Sequence, residues 1–259
     1  MKKIFLSLLL FTLCLGAEEL PTQLQPLVNS VKTIVKEKDP SLMPIVVIGG
    51  CPGVGKSTFA NKLADSLKEE GINCLVISQD DYNKTLEERK IYTNELDPRR
   101  LKWDWMHRNM QEAKNRSESI TKPFINQLNR ENGTETVQLK GIDCIIFEGL
   151  YTLGSVSPMN FMQYADLALY METSLENTFD WKWERDLKKT RTRTPEQFYE
   201  HMMTICRDFA FHIYYTKANA DYIIDVDSNH NYSLREVDKN SLPAMPDFTE
   251  YRLKTIQYS

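Results

Sequence analysis

The chain has 259 residues, of which 41% are hydrophobic and 26% charged, with 10 Gly and 11 Pro. These values exclude a disordered chain, a collagen-like fibre and a multi-span membrane protein, and the length suits one α/β domain with a large core or at most two small ones. Lys plus Arg number 32 and Asp plus Glu 36, a formal charge of −4 that lacks the basic excess of a nucleic-acid binder.

Along the chain, the first distinct segment is apolar. Lys2 and Lys3 precede an almost unbroken hydrophobic run, Ile4 to Leu15, followed by Gly16, Ala17 and a polar sequence. Residues 1–17 therefore have the three-part pattern of a secretory signal peptide or an N-terminal anchor, too short for a comfortable span. The mature chain is expected to carry no membrane span. The five cysteines point the other way. They are scattered singly along the sequence, without C-x-x-C or a dense framework, as buried free thiols are in a reducing compartment. The leader suggests an exported, periplasmic or membrane-anchored protein, and the thiols suggest a cytoplasmic one.

Residues 18–43 read as a lead-in helix and linker, with Leu24, Leu27, Val28, Val31, Ile34 and Val35 at helical spacing and Asp39-Pro40 as the break. Five short apolar runs then predict buried strands: Ile45–Ile48, Cys74–Ser78, Asp143–Phe147, Leu167–Met171 and Tyr222–Val226. Helical patterns over Thr58–Glu70, Asp104–Arg116, Leu175–Lys189 and Glu196–Tyr214 separate most of them. Continuous apolar strands alternating with helices predict a largely parallel five-stranded sheet with helices on both faces, a three-layer α/β sandwich over residues 44–227. Residues 228–259 are polar and are expected to form a C-terminal tail.

The sharpest motif is Gly50-Cys51-Pro52-Gly53-Val54-Gly55-Lys56-Ser57, followed by Thr58. This is a phosphate loop, G-x-x-x-x-G-K-S, set between a strand and a helix. Its glycines allow several backbone N–H groups to point at phosphate oxygens, and the helix N-terminus adds partial positive charge. Lys56 would reach the β and γ phosphates of a nucleoside triphosphate, and the Ser57 hydroxyl would ligate Mg²⁺. Glu148 closes the apolar run ending Ile145-Ile146-Phe147, where a carboxylate emerges at the carboxyl edge of a parallel sheet and can reach the metal. Asp80 leaves the strand Cys74–Ser78 in Gln79-Asp80-Asp81-Tyr82. It reads either as a turn aspartate or as a base that orients and deprotonates an attacking hydroxyl.

The ordered set of these pieces resembles the uridine kinase and phosphoribulokinase family of P-loop small-molecule kinases. The resemblance runs over about residues 44–227. It includes the phosphate loop, Ser78–Tyr82, Leu96-Asp97-Pro98 with Trp103-Asp104, Phe147–Tyr151, Glu184–Leu187 with Arg191 and Arg193, and Ala220–Ile224. It implies transfer of the ATP γ-phosphoryl group to a hydroxyl of a small molecule. Asp80 would then be the catalytic base, with Ser57 and Glu148 serving Mg²⁺. Arg185, Arg191 and Arg193 would belong to an Arg-rich lid over the phosphates, and Asp97 would contact the acceptor. The sequence departs from the uridine kinases at Pro123–Arg130, where Ile125, Asn126 and Arg130 replace a Tyr-Asp pair and a His that hold the nucleoside. Arg130 suits an anionic acceptor instead. A nucleotide-binding regulatory protein and an NTP hydrolase are the competing readings, and the oligomeric state is left open.

Overall fold

In a computed structural model of the protein, residues 20–92, 97–125, 132–190 and 193–237 are described. The leader, Arg130, Arg191 and most of the expected tail lie outside them. Among the described residues no helix is long and apolar enough to cross a membrane.

Six strands form the main sheet: β1 (Ile45–Gly50), β2 (Cys74–Ser78), β5 (Cys144–Glu148), β6 (Leu167–Glu172), β7 (Tyr222–Val226) and β8 (Tyr232–Glu236), in the order β2-β5-β1-β6-β7-β8. The first five pair in parallel and only β8 runs antiparallel. The architecture is the expected P-loop α/β sandwich, with six strands rather than five. The sixth falls where the sequence suggested a tail. Tyr-Ser-Leu-Arg-Glu has one strong strand former, so edge pairing to β7 rather than intrinsic propensity makes it a strand. A separate hairpin, β3 (Ser119–Ile125) and β4 (Asn132–Gln138), lies outside the main sheet.

Every residue of β1 and β5 is buried. Successive strand residues point to opposite faces, so both faces of the central sheet are covered. The helices α2 (Lys56–Glu69), α4 (Trp103–Lys114), α5 (Leu175–Trp183) and α6 (Pro195–Asp208) follow the predicted patterns, and a single helical turn, α3 (Leu86–Arg89), lies between α2 and α4 in the chain. The lead-in helix α1 (Gln25–Glu37) buries Leu27, Val28 and Val31, and Leu24 just ahead of it, in the same core. All four described cysteines are free thiols. They are less solitary in space than in sequence, since Cys74 and Cys144 are register partners on β2 and β5.

The register sets the site. Ile48 of β1 and Ser78 of β2 are both level with Glu148 of β5. One row at the carboxyl edge thus brings together the entrance to the phosphate loop, the Glu148 carboxylate and the strand end two residues before Asp80. The strand order also reverses around β1, where open α/β sheets form their ligand crevice.

Candidate active site

The loop Gly50–Ser57 turns from β1 into α2 with Gly50, Gly53 and Gly55 at φ of 127°, 79° and 91°. At Gly50 a Cβ would meet the Met171 carbonyl at 2.1 Å, so both the conformation and the space require glycine. Cys51 is buried beneath the loop; its backbone N–H donates to Met171 O at 3.0 Å, and burial pushes its thiol up to about 11. Cys51 and Pro52 are enclosed and Val54 is 2% exposed, while Ser57 and Thr58 face the cleft. The loop is thus anchored by its apolar residues and open along its polar edge. Lys56 is buried and curls over the loop, donating from Nζ to the carbonyls of Cys51 (2.9 Å) and Gly50 (3.3 Å). Burial pulls its pKa down, opposed by Glu148, Cys51 and Asp80.

The Ser57 hydroxyl donates to Glu148 Oε1 at 2.9 Å. Two oxygens held side by side on an octahedral Mg²⁺ at roughly 2.1 Å lie about 3.0 Å apart. The hydroxyl–carboxylate pair therefore fits such an ion in spacing and in its all-oxygen chemistry. Glu148 is 3% exposed. Its pKa is raised by burial, against the Ser78 hydroxyl, Lys56 and Ser57, which favour the charged form. A cation would supply the charge compensation this carboxylate lacks.

Asp80 sits in the short turn Gln79–Tyr82 (a 3₁₀ turn), capped by the Ser78 hydroxyl, which accepts from the Asp80 backbone N–H at 3.3 Å. Its side chain is accessible from the cleft but crowded on its other sides. That desolvation raises its pKa, while Lys56, Arg89 and Lys182 pull it down. The turn is fixed from below by Gln79, which is 2% exposed and accepts the Tyr151 backbone N–H at 2.9 Å. It is fixed from the side by Lys122 of the hairpin, whose Nζ lies 2.7 Å from both Asp81 and Glu135.

The lid residues converge on one buried carboxylate. Asp186 accepts from Arg185 Nε at 2.7 Å and from Arg193 Nη1 at 2.9 Å. Burial would raise its pKa, but Arg185, Lys182 and Arg193 outweigh that and lower it. Lys182 is a site residue that the sequence reading passed over. It is 7% exposed, and its side chain lies against Gly53, where an added Cβ would sit 3.1 Å from Lys182 Cγ. Burial, with Arg185, Arg193 and Lys56 nearby, brings its pKa down to about 8 despite Asp186. After Trp183 the helix passes into a π-helical turn, Glu184–Lys189. The changed phase beyond that point removes simple helical spacing as a guide to which cations share a face.

Asp97 caps the turn Pro98–Arg100 and pairs with its own Arg99, Oδ2 to Nη2 at 2.6 Å; that bond lowers its pKa. Its charge is felt by Tyr151, as are those of Asp208 and Asp80. Trp103 and His212 also meet Tyr151 edge-on. The Tyr151 ring is buried, within electrostatic reach of both Asp80 and Asp97.

A phosphate loop at the sheet's crevice, a hydroxyl–carboxylate pair beneath it and a cationic lid define a P-loop phosphotransferase. The sequence profile of the Phosphoribulokinase / Uridine kinase family matches residues 45–233, and the chain belongs to that family. It is similar to a uridine kinase of Clostridium novyi, 30% identical over 71% of this chain and 88% of that protein. It is also similar to a phosphoribulokinase of Synechocystis, 30% identical over 70% of this chain and 54% of that one. Among solved structures, a D-glycerate 3-kinase from Cryptococcus neoformans shares the fold with a TM-score of 0.60 at 14% identity, covering 84% of this chain and all of that one. Phosphoribulokinase from Rhodobacter spheroides does so at 0.58 and 12%, covering 72% and 71%. The protein is an ATP-dependent phosphotransferase acting on a hydroxyl group.

Proposed function

We propose that the chain transfers the ATP γ-phosphoryl group to a small-molecule hydroxyl, with Asp80 as base and Ser57 and Glu148 as the seat of Mg²⁺. The observation that carries this assignment is the Ser57–Glu148 hydrogen bond, with Glu148 level with the β2 residue two before Asp80 and Lys56 within electrostatic reach of both carboxylates. Asp80 takes the proton of the attacking hydroxyl as the oxygen–phosphorus bond forms and the bond to ADP breaks. The loop N–H groups and Lys56 hold the phosphates. Lys182, Arg185 and Arg193 offset the negative charge carried by the transferring group. Ser57 and Glu148 would hold Mg²⁺, which would supply charge neutralisation at the phosphates.

The relatives named uridine kinase and phosphoribulokinase give two acceptor classes. Ile125, Asn126 and Arg130 argue against a nucleoside and for an anionic sugar or acid. The hairpin that contains Ile125 is tied through Lys122 to Asp81, the neighbour of Asp80. That link supports an acceptor-side role for the hairpin. The test is ADP release from purified protein with ATP and Mg²⁺ across neutral nucleosides, phosphorylated sugars and hydroxy acids. Turnover with an anionic acceptor that Arg130→Ala weakens supports the reading; turnover confined to neutral nucleosides overturns it.

A further inference from the structure

A cavity of about 790 Å³ opens beside the phosphate loop, and neither Asp80 nor Tyr151 is in its lining. Gly53, Thr58, Trp181 of α5, His230 and Tyr232 are among the residues that line it. Its lining also includes Pro21, which stands ahead of residue 45, where the family match begins. The volume is that of a site for a small organic ligand. A triphosphate seated along the loop has the acceptor machinery at one end, so its nucleoside leaves toward this cavity.

Aromatic residues line part of the cavity. Trp181 and His230 stack with centroids 4.2 Å apart and an interplanar angle of 30°. His230 adopts a φ of 63°, uncommon for a residue other than glycine. The Asp227 carboxylate imposes that turn by accepting the backbone N–H groups of Asn229 (2.8 Å) and Asn231 (2.9 Å). Pro21 is held as firmly. Its carbonyl accepts the Leu24 N–H at 2.8 Å, and Leu24 is fully buried in the core. The Gln23 side chain donates to the Tyr232 carbonyl. The Tyr232 ring packs edge-on against Phe59, with centroids 5.2 Å apart, and lies under Lys62.

We propose that residues 20–24, outside the region that matches the family, form the outer wall of the nucleoside end of the ATP site, and that nucleotide affinity depends on them. The proposal rests on the reading that the phosphate loop holds ATP. Pro21 lines the cavity together with the loop residues Gly53, Val54 and Gly55, and Gln23 couples its segment to the strand bearing Tyr232. A ligand that carries a base and ribose feels the wall; one consisting of phosphates alone does not.

The test uses the full chain and two measurements. In the first, wild type, Pro21→Gly and Pro21→Trp are titrated calorimetrically with ATP and with tripolyphosphate, each with Mg²⁺. Both variants are expected to bind ATP about tenfold more weakly, roughly one decade in Kd, with tripolyphosphate unchanged. In the second, wild type is photolabelled with 8-azido-ATP and digested. Label that ATP competes away is expected on the peptide containing residues 20–24. This second measurement needs no variant to fold. ATP affinity unchanged in both variants, equal losses for ATP and tripolyphosphate, or label found only on peptides lacking residues 20–24 overturns the wall. A wild type that neither binds ATP nor is labelled overturns the reading of the phosphate loop instead.

Discussion

The Ser57 hydroxyl and the Glu148 carboxylate, 91 residues apart in sequence, meet at 2.9 Å because β1 and β5 are neighbours in register. The contact has a cost for the protein alone. Burial raises the Glu148 pKa, so between its unfolded and folded values the native state binds more protons than the unfolded one. Stability therefore falls as pH rises through that window, and the full penalty persists above it. Glu148→Gln is expected to raise the melting temperature at pH 7.5 without Mg²⁺, and to abolish the stabilisation that Mg²⁺ with ATP gives wild type. It should also reduce kcat by about 10²–10³, the loss typical of a missing electrostatic contact to the transferring group. Differential scanning calorimetry with and without Mg²⁺-ATP, and initial rates, check the two halves.

Asp80 is set apart from Glu148 by its access to the cleft. Asp80→Asn keeps the shape and removes the base. ATP affinity is expected to stay within a factor of about three, while kcat falls by roughly 10²–10⁴. Because crowding raises the Asp80 carboxyl, the acidic limb of kcat/KM should lie above the ordinary aspartate range and disappear in the variant. Near-normal turnover in Asp80→Asn would remove it from the chemistry.

The parts of this site legible in sequence are those in which one residue type at one place has few alternatives. Gly50, Gly53, Gly55 and Lys56 are fixed by the loop's backbone, and the β1 and β5 runs are apolar throughout because both their faces are covered. Glu148 follows from the end of β5 and Asp80 from the end of β2. What could not be read depends on packing between distant segments. Leu24 and Leu27 look like any amphipathic helix until the core that receives them is known. The polar hairpin β3–β4 has no strong apolar alternation, and β8 is a strand because β7 offers an edge. Lys182, between two tryptophans, gives no sign in sequence that it faces Gly53.

Lys182 also offers a pH test. With its pKa brought down to about 8, it loses charge in the free enzyme over the range in which kinases are commonly assayed. If it contacts the ATP phosphates, kcat/KM for ATP should decline above pH 8 in wild type. Arg stays charged at any accessible pH. Lys182→Arg is expected to keep kcat/KM level to about pH 9.5, and Lys182→Met to lower it by about tenfold or more at pH 7 and abolish the alkaline decline. A wild-type profile that is flat from pH 7 to 9.5 would place Lys182 outside the phosphate-binding set.

The Asp80 turn is held by a close approach between two strand ends, and that gives the last prediction. Gly149 follows Glu148, and a Cβ added there would lie 2.3 Å from Gln79 Cβ and 2.6 Å from Gln79 Oε1. The Gln79 amide oxygen is the acceptor for the Tyr151 N–H. Ala at 149 must therefore displace either the β5 end or the turn bearing Asp80, and Glu148 and Gln79, where the two meet, are both buried. Overpacking of this kind costs about 1–3 kcal/mol, equivalent to a loss of roughly 2–10 °C in melting temperature for a domain of this size. The shift separates Asp80 from Glu148, whereas the phosphate loop on β1 keeps its anchor at Met171. Gly149→Ala is thus expected to lower kcat by about tenfold or more while ATP binding changes little. Calorimetric ATP titration beside steady-state rates distinguishes this from general unfolding, in which binding and turnover would fall together.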